Sequence, residues 1–265
     1  MTTSPPPRRS SDLALRSVVG IVMVAVAMAA LWWGGIVFWL LCVVLGLIMM
    51  AEWADLDGVP KTTRRLAQYA LAVPLALMAP TLAAGPGFLT LGATMGAAFF
   101  IVIVTRRPSL AFGAIYAGLP ILALLLIREQ ADGVLFTLWA LALVWMCDIG
   151  AYFSGRAIGG PKLAPAISPN KTWAGLAGGV LLASAFAVVL HLYFGLPLRL
   201  TVATPVLAVL AQGGDLFESW LKRRAGVKDS GDILPGHGGV LDRLDGLVPV
   251  APVAAFLIIL PVFYA

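Results

Sequence analysis

The chain has 265 residues, of which 60% are hydrophobic and only 12% are charged, and its mean hydropathy is +0.95. Soluble domains carry about 25% charged residues, so this composition excludes an ordinary soluble protein and indicates one that lies in a lipid bilayer. The formal net charge of +5 raises the question of nucleic-acid binding. The basic residues are distributed as in a membrane protein, however, and we expect no nucleic acid as a partner.

Long apolar runs follow one another along the chain, and residues 17–51 and 66–105 contain no Asp, Glu, Lys or Arg. At about 20 residues per crossing, each of these two runs is long enough for two spans. We predict an all-α polytopic membrane protein with about nine transmembrane helices. The predicted helices cover residues 17–31, 32–50, 66–84, 88–105, 108–127, 133–152, 173–194, 200–217 and 246–264.

The first residues, 1–16, are rich in proline and serine and are predicted to form a disordered cytoplasmic tail. A cleaved signal peptide over residues 1–30 is the alternative, because arginines precede an apolar run. That run continues well past the length of a signal core, which favours an uncleaved first span. Residues 32–35 mark the turn between the first two spans or lie just beside it. The rest of the chain divides into N-terminal transmembrane helices, 17–132, and a C-terminal transmembrane catalytic region, 133–265.

The basic residues indicate how the chain is oriented in the membrane. With the N-terminus in the cytoplasm and nine spans, only Arg128 and Arg199 of the 18 Lys and Arg residues fall on the opposite side. Such an excess of positive charge on one side is the usual signal for the cytoplasmic face. We therefore expect an integral protein of a bacterial-type inner membrane, with its C-terminus on the side opposite the cytoplasm.

Four aspartates are expected to meet near the cytoplasmic rim of the bilayer. Asp148 and Asp215 lie equally far along their predicted spans, and Asp242 and Asp245 immediately precede the last span. Carboxylates that converge in a low dielectric require a cation, and Mg²⁺ prefers oxygen ligands. Structural ion pairs between helices are the alternative explanation. Asp148, Asp215, Asp242 and Asp245 are therefore a candidate magnesium site facing the cytoplasm, although lysines and arginines could also neutralise them.

Two polar loops beside these aspartates have features that favour phosphate. The glycine-rich loop 236–239 leads toward a helix start, where backbone N–H groups and the helix dipole attract anions. His237 either donates to phosphate or only caps this loop. Lys171 and Thr172 stand just before the seventh span, at another helix N-terminus. Basic residues that can neutralise phosphate are Lys171, Lys222, Arg223, Lys228 and Arg243.

Residues 219–245 have the pattern Ser-x-Leu-Lys-Arg-x4-Lys-Asp-x-Gly-x2-Leu-Pro-x-His-Gly-Gly-Val-x-Asp-Arg-Leu-Asp. This pattern resembles the signature of the phosphatidate cytidylyltransferases, also called CDP-diacylglycerol synthases. Segments 148–156, 168–175 and 212–219 agree with it, whereas the N-terminal half resembles the family only in being made of hydrophobic spans. Ala174 departs from the family, which usually has Glu or Gln at that place.

The resemblance implies transfer of the cytidylyl group of CTP to phosphatidic acid, with release of pyrophosphate, in phospholipid biosynthesis. It implies Mg²⁺ and a second cation, for which a monovalent ion such as K⁺ is the candidate. Asp215 and Asp242 would be the main metal ligands, with Asp148 and Asp245 close by. The implied catalytic residues are Asp215, Asp242, Lys171, Lys222, Arg223, Lys228, His237 and Arg243. The implied substrate-binding residues are Ser168, Lys171, Thr172, Ser219, Lys222, Arg223, His237, Gly238 and Gly239.

Two other functions stay open at this point. A related CTP-dependent enzyme would act on another lipid phosphate or on a polyprenol, because the sequence does not reveal the acyl pocket. An ion-coupled transporter would bind its ion at buried carboxylates, although transporters place such charges near the membrane midplane. The 28 glycines allow close helix packing, which serves either the fold or a homodimer.

Overall fold

Helices form most of the protein. The computed structural model describes residues 9–234 and 238–260, with side chains from Val18 onwards except for the gap. The helices are α1 (Arg9–Trp33), α2 (Gly35–Leu56), α3 (Lys61–Leu77), α4 (Phe88–Thr105), α5 (Pro108–Arg128), α6 (Gly133–Ile158), α7 (Trp173–Phe194), α8 (Leu198–Arg224), α9 (Leu241–Leu244) and α10 (Leu247–Ile259). Between α6 and α7 lies an antiparallel hairpin, made of β1 (Lys162–Ala164) and β2 (Ser168–Thr172).

Six of the described helices, α2 and α4 to α8, are long and apolar enough to cross a membrane. The apolar segments Val18–Trp33 of α1 and Leu247–Ile259 of α10 are shorter. Helix α3 has only 17 residues, and its first turns contain basic residues. The prediction of an all-α protein with several membrane-spanning helices is confirmed. The count of nine spans and the sides of the two termini stay predictions, and residues 261–264 of the last predicted span lie outside the described residues.

Several helices differ in their ends from the prediction. Helix α1 begins at Arg9, so the expected tail 1–16 is helical from there, and residues 1–8 lie outside the described part. Its early Leu-Ala-Leu sequence consists of good helix formers. Helices α6 and α8 continue beyond 152 and 217 because basic residues in their last turns complement the helix dipole. Helix α3 starts earlier and ends at Leu77, three residues before Pro80, as helices often end shortly before a proline.

The turn between α1 and α2 lies where the sequence predicts it. Gly34 and Gly35 have φ angles of 64° and 48°, in the left-handed region that favours glycine. Arg128, at the end of α5, donates from Nε to the carbonyl oxygen of Leu31 at 2.9 Å. A Cβ on Gly34 would lie 2.5 Å from Arg128 Nη2. The start of α2 and the end of α5 therefore share one end of the helix bundle.

The opposite end of the bundle holds the loops that follow α2 and precede α5. Arg107 Nη1 lies 3.9 Å from Asp57 Oδ2, and Arg64 Nη1 lies 2.7 Å from Asp55 Oδ2. Because α2 runs from Gly35 to Leu56, these contacts are a full helix length away from Arg128. Helices α2 and α5 therefore run in opposite directions, as alternate crossings of a membrane would.

Helix α5 lies at the centre of the bundle and packs against α2, α3, α4, α6 and α10. Most of its residues from Leu110 to Ile127 are buried and are small or aliphatic. Helix α10 also packs against α6 and α8. The N-terminal and C-terminal helices therefore share one core. Helix α9 packs against α8 and against α2, where Glu52 accepts hydrogen bonds from Val240 and Leu241.

Helices α6 and α7 approach each other through small residues. A Cβ on Gly150 would lie 2.6 Å from the carbonyl oxygen of Gly178, and one on Gly179 would lie 2.6 Å from that of Cys147. Residues without bulky side chains allow the backbones of membrane helices to pack this closely. This contact holds the start of α7, and with it β2, beside the last turns of α6.

A leucine in place of Gly150 is expected to destabilise the protein by about 3 kcal/mol, because its Cβ would meet the backbone of Gly178 and not a side chain that can move. The measurement is the melting temperature of the purified protein in detergent. Gly96→Leu on α4 is the matched control, since a Cβ there meets no atom within 4 Å. Equal melting temperatures for the two variants would contradict the prediction.

Candidate active site

Charged side chains from β2 and α8 meet at the bundle end that also holds Asp57. Lys171 Nζ lies 2.5 Å from Asp215 Oδ2, and the two side chains are 17% and 31% exposed. Ser219, one turn further along α8, donates a hydrogen bond to Asp215 Oδ1 at 3.3 Å. The hairpin therefore supplies the cation, and α8 supplies the carboxylate, of a partly buried ion pair.

Asp148 lies on α6 beside Asp215. Gln212, one turn before Asp215 on α8, donates from Nε2 to Asp148 Oδ1 at 3.2 Å. The charge of Asp148 is close enough to that of Asp215 for the two to repel each other. Lys171 and Arg243 are close enough to attract it. The structure thus brings together the two carboxylates that lie at equal distances along their helices.

A second cluster surrounds Asp242, in the short helix α9. Its Oδ1 lies 2.5 Å from Lys222 Nζ. Its Oδ2 accepts hydrogen bonds from the N–H groups of Ser230 and Gly239, each at 2.8 Å, and from Ser230 Oγ at 3.0 Å. Burial raises the pKa of Asp242, but the bonds from Lys222 and from the backbone outweigh it and lower the pKa to about 2. Asp242 is therefore ionised at neutral pH, and both of its oxygens are engaged.

Lys222 joins Asp242 to another carboxylate, that of Glu218. Lys222 Nζ lies 3.2 Å from Glu218 Oε1, and the side chain of Glu218 is fully buried. The two residues are one turn apart on α8, where such pairs face each other. One ammonium group therefore lies between two carboxylates, and only 14% of the lysine side chain is exposed.

Asp245 lies between α9 and α10, and its Oδ1 accepts a hydrogen bond from the N–H of Gly246 at 2.7 Å. Burial raises the pKa of Asp245, and the negative charges of Asp215 and Asp148 raise it further. A Cβ on Gly214 would lie 2.3 Å from the carbonyl oxygen of Asp245, so α8 packs directly against this segment. Asp245 thus adds a third carboxylate to the Asp148 and Asp215 pair.

The predicted phosphate-binding residues before α7 have structural contacts. Thr172 is buried, and its Oγ1 accepts a hydrogen bond from the N–H of Gly175 at 3.0 Å, so it caps α7. Ser168 starts β2 and pairs with Ala164 in the hairpin. Of the predicted residues in this segment, Lys171 is the one that reaches an aspartate.

The predicted residues after α8 have different surroundings. Arg223 and Lys228 are exposed, and Arg223 donates to the carbonyl oxygen of Val227 at 3.4 Å. Gly238 has a φ of 82°, and a Cβ on it would lie 2.8 Å from Asp242 Oδ2. His237 lies outside the described residues, so its role stays a prediction.

The carboxylates differ in how well they fit a magnesium ion. In the part of the chain that the structure describes, no three Asp, Glu, Cys or His side chains could hold a metal by themselves. Mg²⁺ is usually held by one or two carboxylates together with substrate phosphates and water. Asp148 and Asp215 fit this role, with Asp215 exchanging its contact with Lys171 or Ser219 for the ion. Asp242 would have to give up a contact with Lys222 or with Ser230 to do the same.

Two buried carboxylates at this end of the bundle, Glu52 and Glu218, were not among the predicted site residues. Glu52, near the end of α2, is buried and accepts hydrogen bonds from the N–H groups of Val240 and Leu241. Glu218 contacts Lys222. The available signal for Glu52 was its position as the first carboxylate after the uncharged run 17–51, since ionisable groups in membrane segments are costly and usually functional.

Residues 14–260 match the model of the Cytidylyltransferase family. Over 249 residues the chain is 41% identical to the phosphatidate cytidylyltransferase of Brucella suis biovar 1 (strain 1330), and the alignment covers 91% of each chain. It is 31% identical over 251 residues to the protein of that name from Rickettsia typhi (strain ATCC VR-144 / Wilmington), covering 91% of this chain and 90% of the other. It is 45% identical over 151 residues, 56% of each chain, to that of Bacillus subtilis (strain 168). The resemblance in the motifs is thus confirmed, and the chain belongs to the cytidylyltransferase family.

Proposed function

We propose that this protein is a phosphatidate cytidylyltransferase, which transfers the cytidylyl group of CTP to phosphatidic acid and releases pyrophosphate in phospholipid biosynthesis. The observation that carries the proposal is the 41% identity to a protein of that name over 91% of both chains. Paired lysines and aspartates at one end of a membrane bundle support it, because the reaction needs positive charge where lipid and water meet.

The reaction brings two anions together. A phosphate oxygen of phosphatidic acid attacks the α-phosphorus of CTP, and the bond from that phosphorus to the oxygen bridging to the β-phosphate breaks. Pyrophosphate leaves with the bridging oxygen. Phosphatidate is already ionised at neutral pH, so no general base is needed. Catalysis therefore depends on neutralising charge and aligning the phosphates.

Lys171 and Lys222 suit this task because an aspartate holds each of them in place, at 2.5 Å in both cases. An ammonium group has three N–H donors, so donors are left for phosphate oxygens. Arg243 adds positive charge near Asp148. The exposed cations of Arg223 and Lys228 would favour the approach of CTP from water.

Mg²⁺, when bound, would neutralise phosphate oxygens and stabilise the leaving pyrophosphate. Asp215 and Asp148 are the residues that we propose to hold it, with Asp245 nearby. Asp242 would join them only by exchanging one of its present contacts. A second cation such as K⁺ is a further part of the proposal, supported by the repulsion between the carboxylates around Asp215.

We also propose that the protein lies in a bacterial inner membrane with a cytoplasmic N-terminus and active site. The gathering of basic residues at the bundle end that holds Asp215, with Arg128 at the other end, supports this orientation. Phosphatidate would then stay in the inner leaflet while CTP arrives from the cytoplasm. A homodimer is a separate prediction, which the mass of the protein–detergent complex would test.

The purified protein in mixed micelles is expected to release pyrophosphate from CTP only when phosphatidic acid and Mg²⁺ are both present. Chelation by EDTA is expected to abolish the release, because the phosphates and carboxylates would repel one another without the cation. A coupled pyrophosphate assay gives the rate, and mass spectrometry of the lipid identifies CDP-diacylglycerol.

The controls replace CTP with ATP and phosphatidic acid with a polyprenyl phosphate. Release of pyrophosphate with the polyprenyl phosphate but not with phosphatidic acid would favour a related enzyme over the proposed one. No release with any lipid, from protein that is folded, would contradict the proposal and favour an ion-binding protein.

A further inference from the structure

Glu52 lies near the end of α2 with 2% of its surface exposed, and its carboxylate faces the segment from Ser230 to Leu241. Oε1 accepts a hydrogen bond from the N–H of Val240 at 2.8 Å, and Oε2 accepts one from the N–H of Leu241 at 2.7 Å. Ser230 Oγ lies 3.1 Å from Oε2. A single buried carboxylate thus contacts two described stretches, 230–234 and 238–241, which together we name the 230–241 loop.

Two glycines of the loop pack directly against this carboxylate. A Cβ on Gly231 would lie 2.9 Å from Glu52 Oε1, and one on Gly239 would lie 2.7 Å from the same atom. Contacts this short leave no room for a side chain at either position. The backbone of the loop therefore approaches Glu52 as closely as it can on both sides.

Ser230 connects Glu52 to Asp242. Its hydroxyl lies 3.1 Å from Glu52 Oε2 and 3.0 Å from Asp242 Oδ2, so one proton serves two carboxylates. The N–H of Gly239 completes the link, because it donates to Asp242 at 2.8 Å. Asp242 in turn holds Lys222. Displacing the loop from Glu52 would therefore move the groups that position this lysine.

We propose that Glu52 is a positioning residue for cytidylyl transfer, which holds the 230–241 loop so that Asp242 and Lys222 face the phosphates of the nucleotide. This inference rests on the proposed function. Glu52 acts through the loop and touches neither substrate. The proposal also gives α2 a role in the site. A helix from the N-terminal half then completes a site whose other side chains come from the C-terminal half.

The variant that tests this proposal is Glu52→Gln. Glutamine has nearly the same shape but only one carbonyl oxygen, so its NH₂ group must face the N–H of either Val240 or Leu241. We expect hydrogen–deuterium exchange in the 230–241 loop to become about tenfold faster, because bonds to a charged acceptor are lost. Peptides of α7 should exchange at the wild-type rate.

In the same variant, kcat/KM for CTP is expected to fall about 10–100-fold, the range that loss of hydrogen bonds to a charged group gives. The KM for phosphatidic acid should stay unchanged, because in our proposal the groups held by the loop face the phosphates of the nucleotide and not the lipid. Asp55→Asn is the matched control. It makes the same chemical change one turn further along α2, at an exposed ion pair, and should alter neither exchange nor kinetics.

Wild-type exchange in Glu52→Gln would overturn the proposal, and so would faster exchange with wild-type kinetics. Equal changes in KM for CTP and for phosphatidic acid would indicate a merely structural role of Glu52 and would also overturn the proposal. If Glu52→Gln does not fold, Ser230→Ala replaces it, because that variant removes only the hydroxyl between the two carboxylates. It is then expected to give the same pattern in weaker form. A wild-type protein without transfer activity would refute the proposed function, while the exchange measurement would still decide whether Glu52 holds the loop.

Discussion

Replacing Asp242 with asparagine is expected to lower the rate of cytidylyl transfer about 10³-fold, with little change in helix content. Asparagine keeps the shape but offers one oxygen and one NH₂ group. If the oxygen faces Lys222, the NH₂ group opposes the N–H donors of Ser230 and Gly239; if it is turned round, it opposes the ammonium. Either orientation places a donor against a donor, so the lysine or the loop must move. Initial rates of pyrophosphate release measure the effect.

The control for this variant is Asp232→Asn, an exposed residue of the same loop, which is expected to leave the rate unchanged. Because breaking one side of a buried ion pair costs about 3–5 kcal/mol, the melting temperature must be measured beside the rate. A variant with Lys222→Met should also be slow, and the double variant should lose less than the sum of the two. Wild-type turnover in Asp242→Asn would show that the cluster around Asp242 has no part in the reaction.

Replacing Asp215 with asparagine is expected to reduce transfer by a similar factor, about 10³-fold, for a reason that can be separated from ion pairing. If Asp215 only neutralised Lys171, removing both charges in Lys171→Met with Asp215→Asn would restore stability and much of the activity. If Asp215 also holds Mg²⁺, as we propose, the double variant stays inactive. Asp215→Asn alone should require more Mg²⁺ for half-maximal rate. The rate as a function of Mg²⁺ concentration is the measurement.

The chain offers a matched ion pair outside the site for comparison. Arg64 and Asp55 lie 2.7 Å apart, and their side chains are 35% and 50% exposed. Exposed pairs contribute about 0–1 kcal/mol, so Arg64→Met with Asp55→Asn should change neither rate nor stability by much. Recovery of activity in the double variant of Lys171 and Asp215 would show that the Lys171–Asp215 pair has only a structural role.

The membrane helices around the site could be predicted because their signal is long and local. Apolar runs and the equal positions of Asp148 and Asp215 within them depend only on residue count and on helix rise. The structure brings these two carboxylates together through Gln212. The turn at Gly34 was predictable for the same reason, since two glycines interrupt an otherwise continuous apolar run.

Other parts of the site could not be predicted, because they depend on contacts between distant segments. Glu52 and Val240 are separated by 188 residues, and no local pattern relates them. The β1–β2 hairpin is too short to give a periodic signal and forms where the α6–α7 packing brings its two strands together. The contacts of both Asp242 oxygens depend on the conformation of the loop, which the spacing of acidic residues in the sequence does not reveal.

The long separation between Glu52 and its partners has a consequence for the order in which the chain folds. Helix α2 is synthesised first, and the N–H groups that Glu52 needs come from residues made 188 and 189 positions later. Until then the carboxylate of Glu52 lies near the end of an apolar helix without those donors, which is energetically unfavourable beside lipid. Closing so large a loop is also entropically costly and comes late. The site is therefore completed only after residue 241 has been made, and chains that stop before it lack the N–H donors to Glu52.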